Sequence, residues 1–188
     1  MDDHADDHEK PVETIYDGKW LRMLRRGRWE YVERTHGKGM AVIIIAVTPA
    51  DEVLFVEQFR VPLGSRTIEM PAGLVGDDDA SDTLAAAAHR ELVEETGWEP
   101  GRVEVLLVGP TSSGMSSERI AYVRARDLVK VGEGGGVGNE DITVHHVPRE
   151  RAPAWLMEKQ REGFELDLKL WGGLWMIDRN PDGPPAAP

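Results

Sequence analysis

The sequence contains no cysteine, which excludes structural disulfides, thiolate zinc sites and cysteine nucleophiles. It also has no apolar run near the roughly 18–20 residues that a membrane-spanning helix needs, so we expect no membrane partner. Basic residues are outnumbered, with 22 Lys and Arg against 34 Asp and Glu in 188 residues, a net charge of −12. Because phosphate backbones are bound by basic surfaces, we expect no nucleic-acid partner. A small phosphorylated ligand is not excluded, since a metal ion can screen its charge.

The first ten residues, MDDHADDHEK, are acidic, whereas a secretion signal begins with basic residues. We therefore expect a cytoplasmic protein. The length of 188 residues predicts a single domain with at most a small appendage. Hydrophobic residues make up 40% of the chain, which is enough for a buried core.

Composition divides the chain into four segments. Residues 1–12 are acidic and almost without apolar side chains, so we expect a disordered tail. Residues 180–188 are rich in Pro, Gly and Ala and are expected to form a flexible C-terminal tail. Residues 13–39 predict an N-terminal β segment that contains a hairpin with its turn at residues 26–28. Residues 40–179 form the main domain.

Predicted strands and helices follow one another in the main domain. Met40–Val47 reads MAVIIIAV, a continuous β-branched run typical of a strand that is buried on both faces. Further strands are predicted at Val53–Gln58, Arg66–Met70, Val103–Val108, Arg119–Ala125 and Ile142–Val147. Helices are predicted at residues 83–96, 152–161 and 166–177. This order indicates a mixed sheet with helices on its faces.

The clearest helix is the alanine-rich stretch 83–96. Ser81 or Asp82 can cap its start, and Gly97 can end it. Residues 132–138 contain five glycines and predict a flexible loop.

The end of this helix carries three glutamates on one face. At 3.6 residues per turn, Glu91 and Glu95 lie about 40° apart, with Glu94 beside them. Carboxylates so close repel one another, and Glu94 and Glu95 also lie at the negative end of the helix dipole. A cation would relieve both effects, and oxygen ligands alone favour Mg²⁺ or Mn²⁺. The alternative is a solvated acidic surface in which Arg90 pairs with Glu94, and the residues alone leave both open.

This stretch closely resembles the Nudix box, Gly-x5-Glu-x7-Arg-Glu-U-x-Glu-Glu-x-Gly-U, where U is a bulky apolar residue. The corresponding positions are Gly76, Asp82, Arg90, Glu91, Leu92, Glu94, Glu95, Gly97 and Trp98. Asp82 in place of Glu is the one mismatch.

The segment before the box, Glu69-Met-Pro-Ala-Gly-Leu74, resembles the lead-in of ADP-ribose pyrophosphatases, whose glycine is the first of the box. Gly73 stands three residues too early for that role. Either Gly76 takes this place or the loop carries a three-residue insertion, and we favour the insertion.

The chain thus resembles Nudix hydrolases of the ADP-ribose pyrophosphatase and nucleoside diphosphate sugar hydrolase subfamily over most of residues 19–177. The resemblance implies an α+β fold, an α/β/α sandwich with a mixed β-sheet and a small N-terminal β-sheet. It also implies Mg²⁺-dependent hydrolysis, with Mn²⁺ able to substitute, of a nucleoside diphosphate linked to another group. Water attacks one phosphorus, while the metal screens the phosphate charge and polarises the water.

The resemblance further implies which residues form the metal site. The expected ligands are Glu91, Glu94 and Glu95 together with the carbonyl of Ala72. Glu94 is alternatively an orienting group. Glu140, on the late glycine-rich loop, is expected to activate water or to bind metal. Arg90 is expected to bridge the carboxylates.

Five residues are expected by resemblance to bind substrate, namely Trp29, Arg34, Arg60, Leu74 and Glu118. Trp29 can stack on a purine, and Arg34 can contact phosphate or the base. Arg60 can contact phosphate or a terminal ribose, and Glu118 can contact a ribose or position a metal-bound water. The alternatives are structural: a core tryptophan, surface arginines and an ordinary acid. In this subfamily the N-terminal segment often crosses a dimer interface, so we expect a homodimer in which this segment serves the partner's site.

The leading substrate is ADP-ribose, which would give AMP and ribose 5-phosphate. Ser113 stands where the subfamily has proline, and residues 134–142 look like a loop shared with sugar-nucleotide pyrophosphatases, including GDP-mannose hydrolases. GDP-mannose or another nucleotide sugar is therefore the alternative. An alternative of another class is a module that binds ADP-ribose without cleaving it, although such modules typically lose the box carboxylates. His145 and His146 lack a third ligand, so we interpret them as structural or exposed.

Overall fold

The computed structural model describes residues 7–76, 81–138 and 140–181. Within them lie eleven strands and three α-helices. The strands are β1 (Val12–Asp17), β2 (Leu21–Arg26), β3 (Trp29–Arg34), β4 (Met40–Ala46), β5 (Glu52–Arg60), β6 (Ser65–Glu69), β7 (Ala72–Leu74), β8 (Trp98–Pro110), β9 (Arg119–Lys130), β10 (Thr143–Pro148) and β11 (Glu165–Leu166). The helices are α1 (Leu84–Thr96), α2 (Ala152–Arg161) and α3 (Lys169–Met176).

Two four-stranded sheets form the main domain. The first has the order β7-β4-β9-β8, in which β4 runs parallel to β9 and the other pairs are antiparallel. The second has the order β10-β5-β6-β11, in which only β11 and β6 are parallel. Both sheets are therefore mixed, as the order of predicted elements indicates.

The side chains of β4 alternate between two buried layers. Val42 and Ile44 pack in a cluster with the α1 residues Ala88 and Leu92. Ile43 and Ile45 pack in a second cluster with side chains of α2 and α3. Each fully buried large aliphatic side chain contributes roughly 1.5–3 kcal/mol, so both layers stabilise the fold. Helices therefore cover both faces, and the predicted α/β/α sandwich is confirmed.

The small N-terminal sheet has the order β1-β2-β3, and residues 27–28 form the turn of the predicted hairpin. It is tied to the main domain by backbone hydrogen bonds from Val32 N to the Met115 carbonyl (2.9 Å) and from Ser117 N to the Val32 carbonyl (3.1 Å). Every residue of β1 is exposed. This sheet thus reaches the main domain mainly through the loop that precedes β9.

The first part of the chain differs from the expectation of disorder. Residues 1–6 of the expected tail lie outside the described residues, but Asp7–Glu9 forms a 3-10 turn and β1 already begins at Val12. Asp7 is buried, and its ion pairs with Lys10 (3.2 Å) and Arg28 (2.9 Å) compensate for the loss of solvent. Composition alone hides this anchor, since the partner Arg28 lies on the hairpin. Of the expected C-terminal tail, residues 182–188 also lie outside the described residues.

Helix boundaries follow local signals except at the starts of α1 and α3. Thr83, rather than Ser81 or Asp82, caps α1, since its Oγ1 accepts a hydrogen bond from Ala86 N (3.1 Å). Gly97 ends α1 with a φ of 70°, as predicted. The helix predicted at 166–177 begins only at Lys169, because Glu165–Leu166 pairs with β6 instead. In the described part of the chain, no helix has the length and apolarity needed to cross a membrane.

Candidate metal and phosphate site

The carboxylates at the end of α1 lie against β7. Glu95 is 6% exposed, and its Oε2 accepts a hydrogen bond from Ala72 N at 3.0 Å. Pairing of β7 with β4 fixes this contact, since Ala72 lies opposite Ile43. The structure thus brings together three of the sequence-predicted metal residues, Ala72, Glu91 and Glu95.

Gly73 is the residue that lets β7 approach the helix. A Cβ atom at Gly73 would lie 1.9 Å from Cδ of Glu91, so any larger residue would displace that carboxylate. Gly76 instead occupies a turn with a φ of 78°. The close contact favours Gly73 as the glycine of the lead-in, with the extra residues in the loop after it. Residues 77–80 of that loop lie outside the described residues.

Arg90 links the acidic side chains around it. Its Nη1 donates to Glu91 Oε1 (2.7 Å) and lies 3.7 Å from Glu94, and its Nη2 lies 3.5 Å from Asp82. Nη2 also donates to the Leu74 carbonyl at 3.3 Å. Arg90 therefore bridges the carboxylates, and Asp82 reaches it although it is one methylene shorter than the glutamate of the box.

The site carries more negative charge than Arg90 neutralises. Burial raises the pKa of Glu91 to about 7, with a further increase from the charges of Glu94 and Glu140. Burial raises the pKa of Glu95 to about 8, and the charges of Glu91, Glu140 and Glu69 add to this. Buried, mutually repelling carboxylates of this kind favour a bound cation.

The donor set fits a hard divalent cation. Across residues 7–76, 81–138 and 140–181, no three acidic or histidine side chains converge at the spacing of a metal cage. Mg²⁺ does not need such a cage, since it keeps several waters and typically binds through one or two carboxylates. Glu91 and Glu95 supply those carboxylates, and their surplus charge is what a cation would compensate.

The glycine-rich loop is docked on the end of α1. Gly135 N donates to the Glu95 carbonyl (2.8 Å), and Gly136 N donates to the Glu94 carbonyl (3.0 Å). A Cβ at Gly134 would lie 2.4 Å from the backbone carbon of Thr96. The sequence predicts a flexible loop but does not reveal this contact. The glycines allow the loop to donate hydrogen bonds to carbonyls that a helix end leaves without partners.

Glu140 follows this loop and is exposed. Its Oε2 accepts a hydrogen bond from Val137 N at 2.9 Å. Its charge contributes to the raised pKa of both Glu91 and Glu95, which places it within electrostatic reach of them. The next residue, Asp141, pairs with Arg66 at 2.8 Å and holds this segment to β6.

A cavity of about 440 Å³ opens beside β7. Its lining includes four of the five predicted substrate residues, Arg34, Arg60, Leu74 and Glu118, together with Ala72. The cations are paired with carboxylates of the same cavity: Arg34 Nε lies 2.6 Å from Glu118 Oε1, and Arg60 lies 2.6 Å from Glu69. The cavity is therefore charged but internally neutralised.

Trp29 is the predicted substrate residue that the structure separates from this cavity. It is 50% exposed and lines a second cavity of about 490 Å³ with Tyr31 and Ser113. One loop lines both cavities, since Ser117 faces the second and Glu118 the first. Within one chain, Trp29 does not lie beside the box carboxylates.

Several other groups have structural contacts. His145 lies 2.9 Å from Glu57, and His146 accepts a hydrogen bond from Trp98 Nε1 (3.0 Å), so their structural interpretation holds. A further cavity, of about 630 Å³, is lined by none of the box carboxylates. Its buried Arg124 is bonded to the carbonyls of Met176 and Arg179 (both 2.7 Å).

Sequence reasoning assigned no role to Glu69, Thr67 or Lys169, which also line the 440 Å³ cavity. The usable signal for Glu69 was the β5–β6 hairpin. Its antiparallel register places Glu69 opposite Val56, on the strand that continues to Arg60.

Comparisons with known proteins agree with this geometry. The model of the NUDIX domain matches residues 37–165. The chain is 31% identical over 161 residues to a methanol dehydrogenase activator of Bacillus methanolicus, covering 81% of this chain and 85% of that protein. It is 30% identical to a GDP-mannose pyrophosphatase of Cronobacter sakazakii, over 83% of this chain and 78% of the relative.

The chain is also 30% identical to an ADP-ribose pyrophosphatase of Escherichia coli O157:H7, over 77% of this chain and 68% of the relative. Among solved structures it resembles an ADP compounds hydrolase with a TM-score of 0.61 and 20% identity, covering 77% of this chain and 80% of that one. This structural likeness confirms the predicted fold class.

Proposed function

The chain belongs to the Nudix family, and from this membership we propose that it hydrolyses the pyrophosphate bond of ADP-ribose or a related nucleoside diphosphate sugar. The products are a nucleoside monophosphate and a sugar phosphate. The observation that carries this proposal is the cavity with Arg34 and Arg60, which opens beside Ala72 and the buried carboxylates of α1.

Divalent cations are generally used by Nudix hydrolases. In this chain Glu91, Glu95 and the carbonyl of Ala72 would hold Mg²⁺, which Mn²⁺ can replace, and Glu94 is a further candidate ligand. When bound, the cation screens the phosphate charge and polarises the attacking water. The raised pKa values of Glu91 and Glu95 support this assignment, because burial makes ionisation of both carboxyl groups costly and a bound cation would offset that cost.

The residues that line the cavity bind the substrate beside the metal site. Arg34 exchanges its carboxylate partner for one phosphate, because arginine binds phosphate as readily as carboxylate. Arg60 stays bonded to Glu69 and contacts the pyrophosphate through Nη1. Glu118, released from Arg34, accepts a hydrogen bond from a ribose hydroxyl. Leu74 packs against the sugar from the β7 side.

Glu140 accepts the proton of the attacking water, and Glu94 orients this water or the metal. The contact between Glu140 and Val137 N holds the carboxylate within its own loop in the unliganded protein. Release from this contact on substrate binding would bring the base to the water only when the site is filled.

The N-terminal sheet supports a homodimer. Its exposed apolar side chains include Val12, Ile15, Tyr16, Trp20 and Trp29. A dimer formed through this sheet would cover them and would carry Trp29 to the partner's site, where it stacks on the base. A molecular mass of one chain by light scattering would contradict this arrangement. The cytoplasmic location stays a prediction.

A sugar other than ribose remains a candidate because of a specific relative. The GDP-mannose pyrophosphatase matches a larger share of this chain than the ADP-ribose pyrophosphatase does, 83% against 77%. A module that only binds ADP-ribose is disfavoured by the presence of all three box glutamates, Glu91, Glu94 and Glu95.

A substrate panel tests the proposal. ADP-ribose, GDP-mannose, UDP-glucose, NADH and diadenosine polyphosphates are incubated with Mg²⁺, Mn²⁺ or EDTA, and the products are separated by chromatography. We expect hydrolysis of a nucleotide sugar that EDTA abolishes, with ADP-ribose preferred. Preference for GDP-mannose would keep the reaction and change the substrate. Tight ADP-ribose binding without turnover would overturn the enzymatic proposal.

A further inference from the structure

Arg60 and Glu69 form a bidentate ion pair in the cavity. Arg60 Nε donates to Glu69 Oε1 (2.7 Å), and Nη2 donates to Oε2 (2.6 Å). Arg60 ends β5 opposite Ser65, and Glu69 ends β6 opposite Val56, so the bond runs diagonally across the paired strands. Such a bidentate bond fixes the plane of the guanidinium as well as its distance.

The carboxylate is far more buried than the arginine. The Glu69 side chain is 8% exposed, whereas the Arg60 side chain is 44% exposed. The Thr67 hydroxyl also donates to Glu69. Burial raises the pKa of Glu69, but its bonds to Arg60 and Thr67 outweigh this, and the net pKa lies below the usual value. Glu69 is therefore an ionised, hydrogen-bonded anchor beneath a more exposed cation.

Stability alone is a weak reason for such a pair. Desolvation of a buried charge offsets much of the attraction, and apolar residues of similar size often stabilise a fold as well. The pair also lines the cavity rather than the core. A role in the cavity therefore explains its position better than a role in folding.

The bond leaves one edge of the guanidinium for a ligand. Glu69 occupies the Nε and Nη2 edge, so the Nη1 edge stays outside the pair. The hydrogen bond to Glu69 is the main cause that raises the pKa of Arg60, and the charge of Glu95 also contributes. Arg60 thus lies within electrostatic reach of the carboxylates on α1.

We infer that Glu69 is a positioning residue, which holds the Nη1 edge of Arg60 toward the pyrophosphate of a nucleotide sugar. The inference rests on the proposed function, in which Arg60 binds phosphate. Glu69 itself does not contact the substrate. Thr67 supports it by fixing its carboxylate.

A double-mutant cycle tests this inference. Glu69→Gln, Arg60→Gln and the double variant are compared with the wild type in kcat/KM for the preferred nucleotide sugar and in Kd for ADP with Mg²⁺ by calorimetry. Because small misplacement of a binding group has large effects, Glu69→Gln should lower kcat/KM about 10- to 100-fold. Arg60→Gln should lower it at least as much, and the double variant should be no worse than Arg60→Gln alone.

A matched control separates positioning from folding. Glu104 is a carboxylate that is bonded to Arg124 (3.2 Å) but lies outside the cavity lining. Glu104→Gln should lower Tm, because it breaks an ion pair with a buried arginine, yet leave the Kd for ADP unchanged. Should Glu69→Gln fail to fold, Thr67→Val takes its place in the cycle, with a smaller loss that also vanishes in the Arg60→Gln background.

The outcomes separate the two proposals. Independent, multiplicative effects of the two substitutions, or an unchanged Kd and kcat/KM in Glu69→Gln, would overturn the positioning role and leave the proposed function intact. A wild type without turnover would overturn the proposed function, while the ADP-binding cycle still decides the role of Glu69. A wild type that neither turns over substrate nor binds ADP would overturn both.

Discussion

Arg90 and Asp82 explain how three glutamates coexist at the end of α1. Arg90 contacts Glu91 directly and lies 3.7 Å from Glu94, while Asp82 approaches the other end of its guanidinium. Glu95 has no arginine in these contacts and receives the Ala72 N–H instead. Glu95 is therefore the carboxylate whose charge depends most on a bound cation.

Replacement of Glu95 by Gln tests this dependence. The variant keeps the shape but removes a charged ligand, and several kcal/mol of charge stabilisation correspond to a loss of about 100-fold or more in kcat/KM. At pH 8 and above, where Glu95 ionises, the Tm without metal should not fall, because the substitution also removes a buried charge. Glu99→Gln, at an exposed glutamate just beyond the helix, is the control and should change kcat/KM less than about twofold. Retained activity in Glu95→Gln would remove Glu95 from the metal site.

Replacement of Gly73 by Ala tests the close approach of β7 to α1. Ala at this position would place its Cβ 1.9 Å from Glu91 Cδ, so we expect a loss of about 1–3 kcal/mol in the free energy of unfolding and displacement of Glu91. Chemical denaturation measures the free energy of unfolding, and the affinity for Mg²⁺ reports the displacement of Glu91. Gly109→Ala is the matched control, since no heavy atom lies within 4 Å of its Cβ. Wild-type Mg²⁺ affinity in Gly73→Ala would show that Glu91 can move without loss of the site.

At the scale of elements, α1, β7 and the glycine-rich loop act as one unit. β7 reaches Glu95 through Ala72, and the loop bonds to the carbonyls of Glu94 and Glu95. The metal-site carboxylates are thus fixed from both sides of the helix end. The segment that carries Glu140 is joined to the same unit, and Arg66 holds its far end through Asp141.

Substitutions of two glycines test the docking of this loop. Gly134 and Gly138 both have positive φ, 77° and 65°, so Ala causes backbone strain at either position. Only Gly134 lies against Thr96, whereas no heavy atom lies within 4 Å of a Cβ at Gly138. Gly134→Ala should therefore lower the free energy of unfolding by about 1–3 kcal/mol more than Gly138→Ala. Equal losses in denaturant titrations would argue against a docked loop.

At the scale of the whole molecule, the metal site opposes folding in the absence of a cation. The pKa of Glu91 rises to about 7 and that of Glu95 to about 8, mainly through burial, from a usual value of 4.5. Ionisation of groups with a raised pKa destabilises the folded state. The free energy of unfolding that these two groups contribute is therefore fully present below pH 4.5. It is lost as pH rises through their pKa values in the folded protein, about 7 and about 8.

This coupling predicts an effect of pH and metal on Tm. With EDTA, Tm should fall as pH rises from 5 to 8, and Mg²⁺ should raise Tm more at pH 8 than at pH 6, because protons no longer compete for the ligands. Thermal unfolding followed by circular dichroism measures both. Glu95→Gln should flatten the pH dependence and weaken the response to Mg²⁺. An equal Mg²⁺ shift at both pH values would contradict the link between these carboxylates and the cation.

The sequence alone determined the features that depend on neighbouring residues. The apolar run of β4, the helix α1 with its glycine end, and the three glutamates on one helix face follow from local periodicity and capping. The hairpin of β2 and β3 follows from its turn. These patterns act within a few residues, so they can be detected without the fold.

Only the tertiary structure decided the contacts between distant segments. Two- and three-residue strands such as β11 and β7 have no periodicity of their own and exist because a longer strand pairs with them. The bond between Arg60 and Glu69, the separation of Trp29 from the cavity, and the docking of the glycine-rich loop depend on register and packing. Chain folding brings these groups together, and no local pattern in the sequence records their distances.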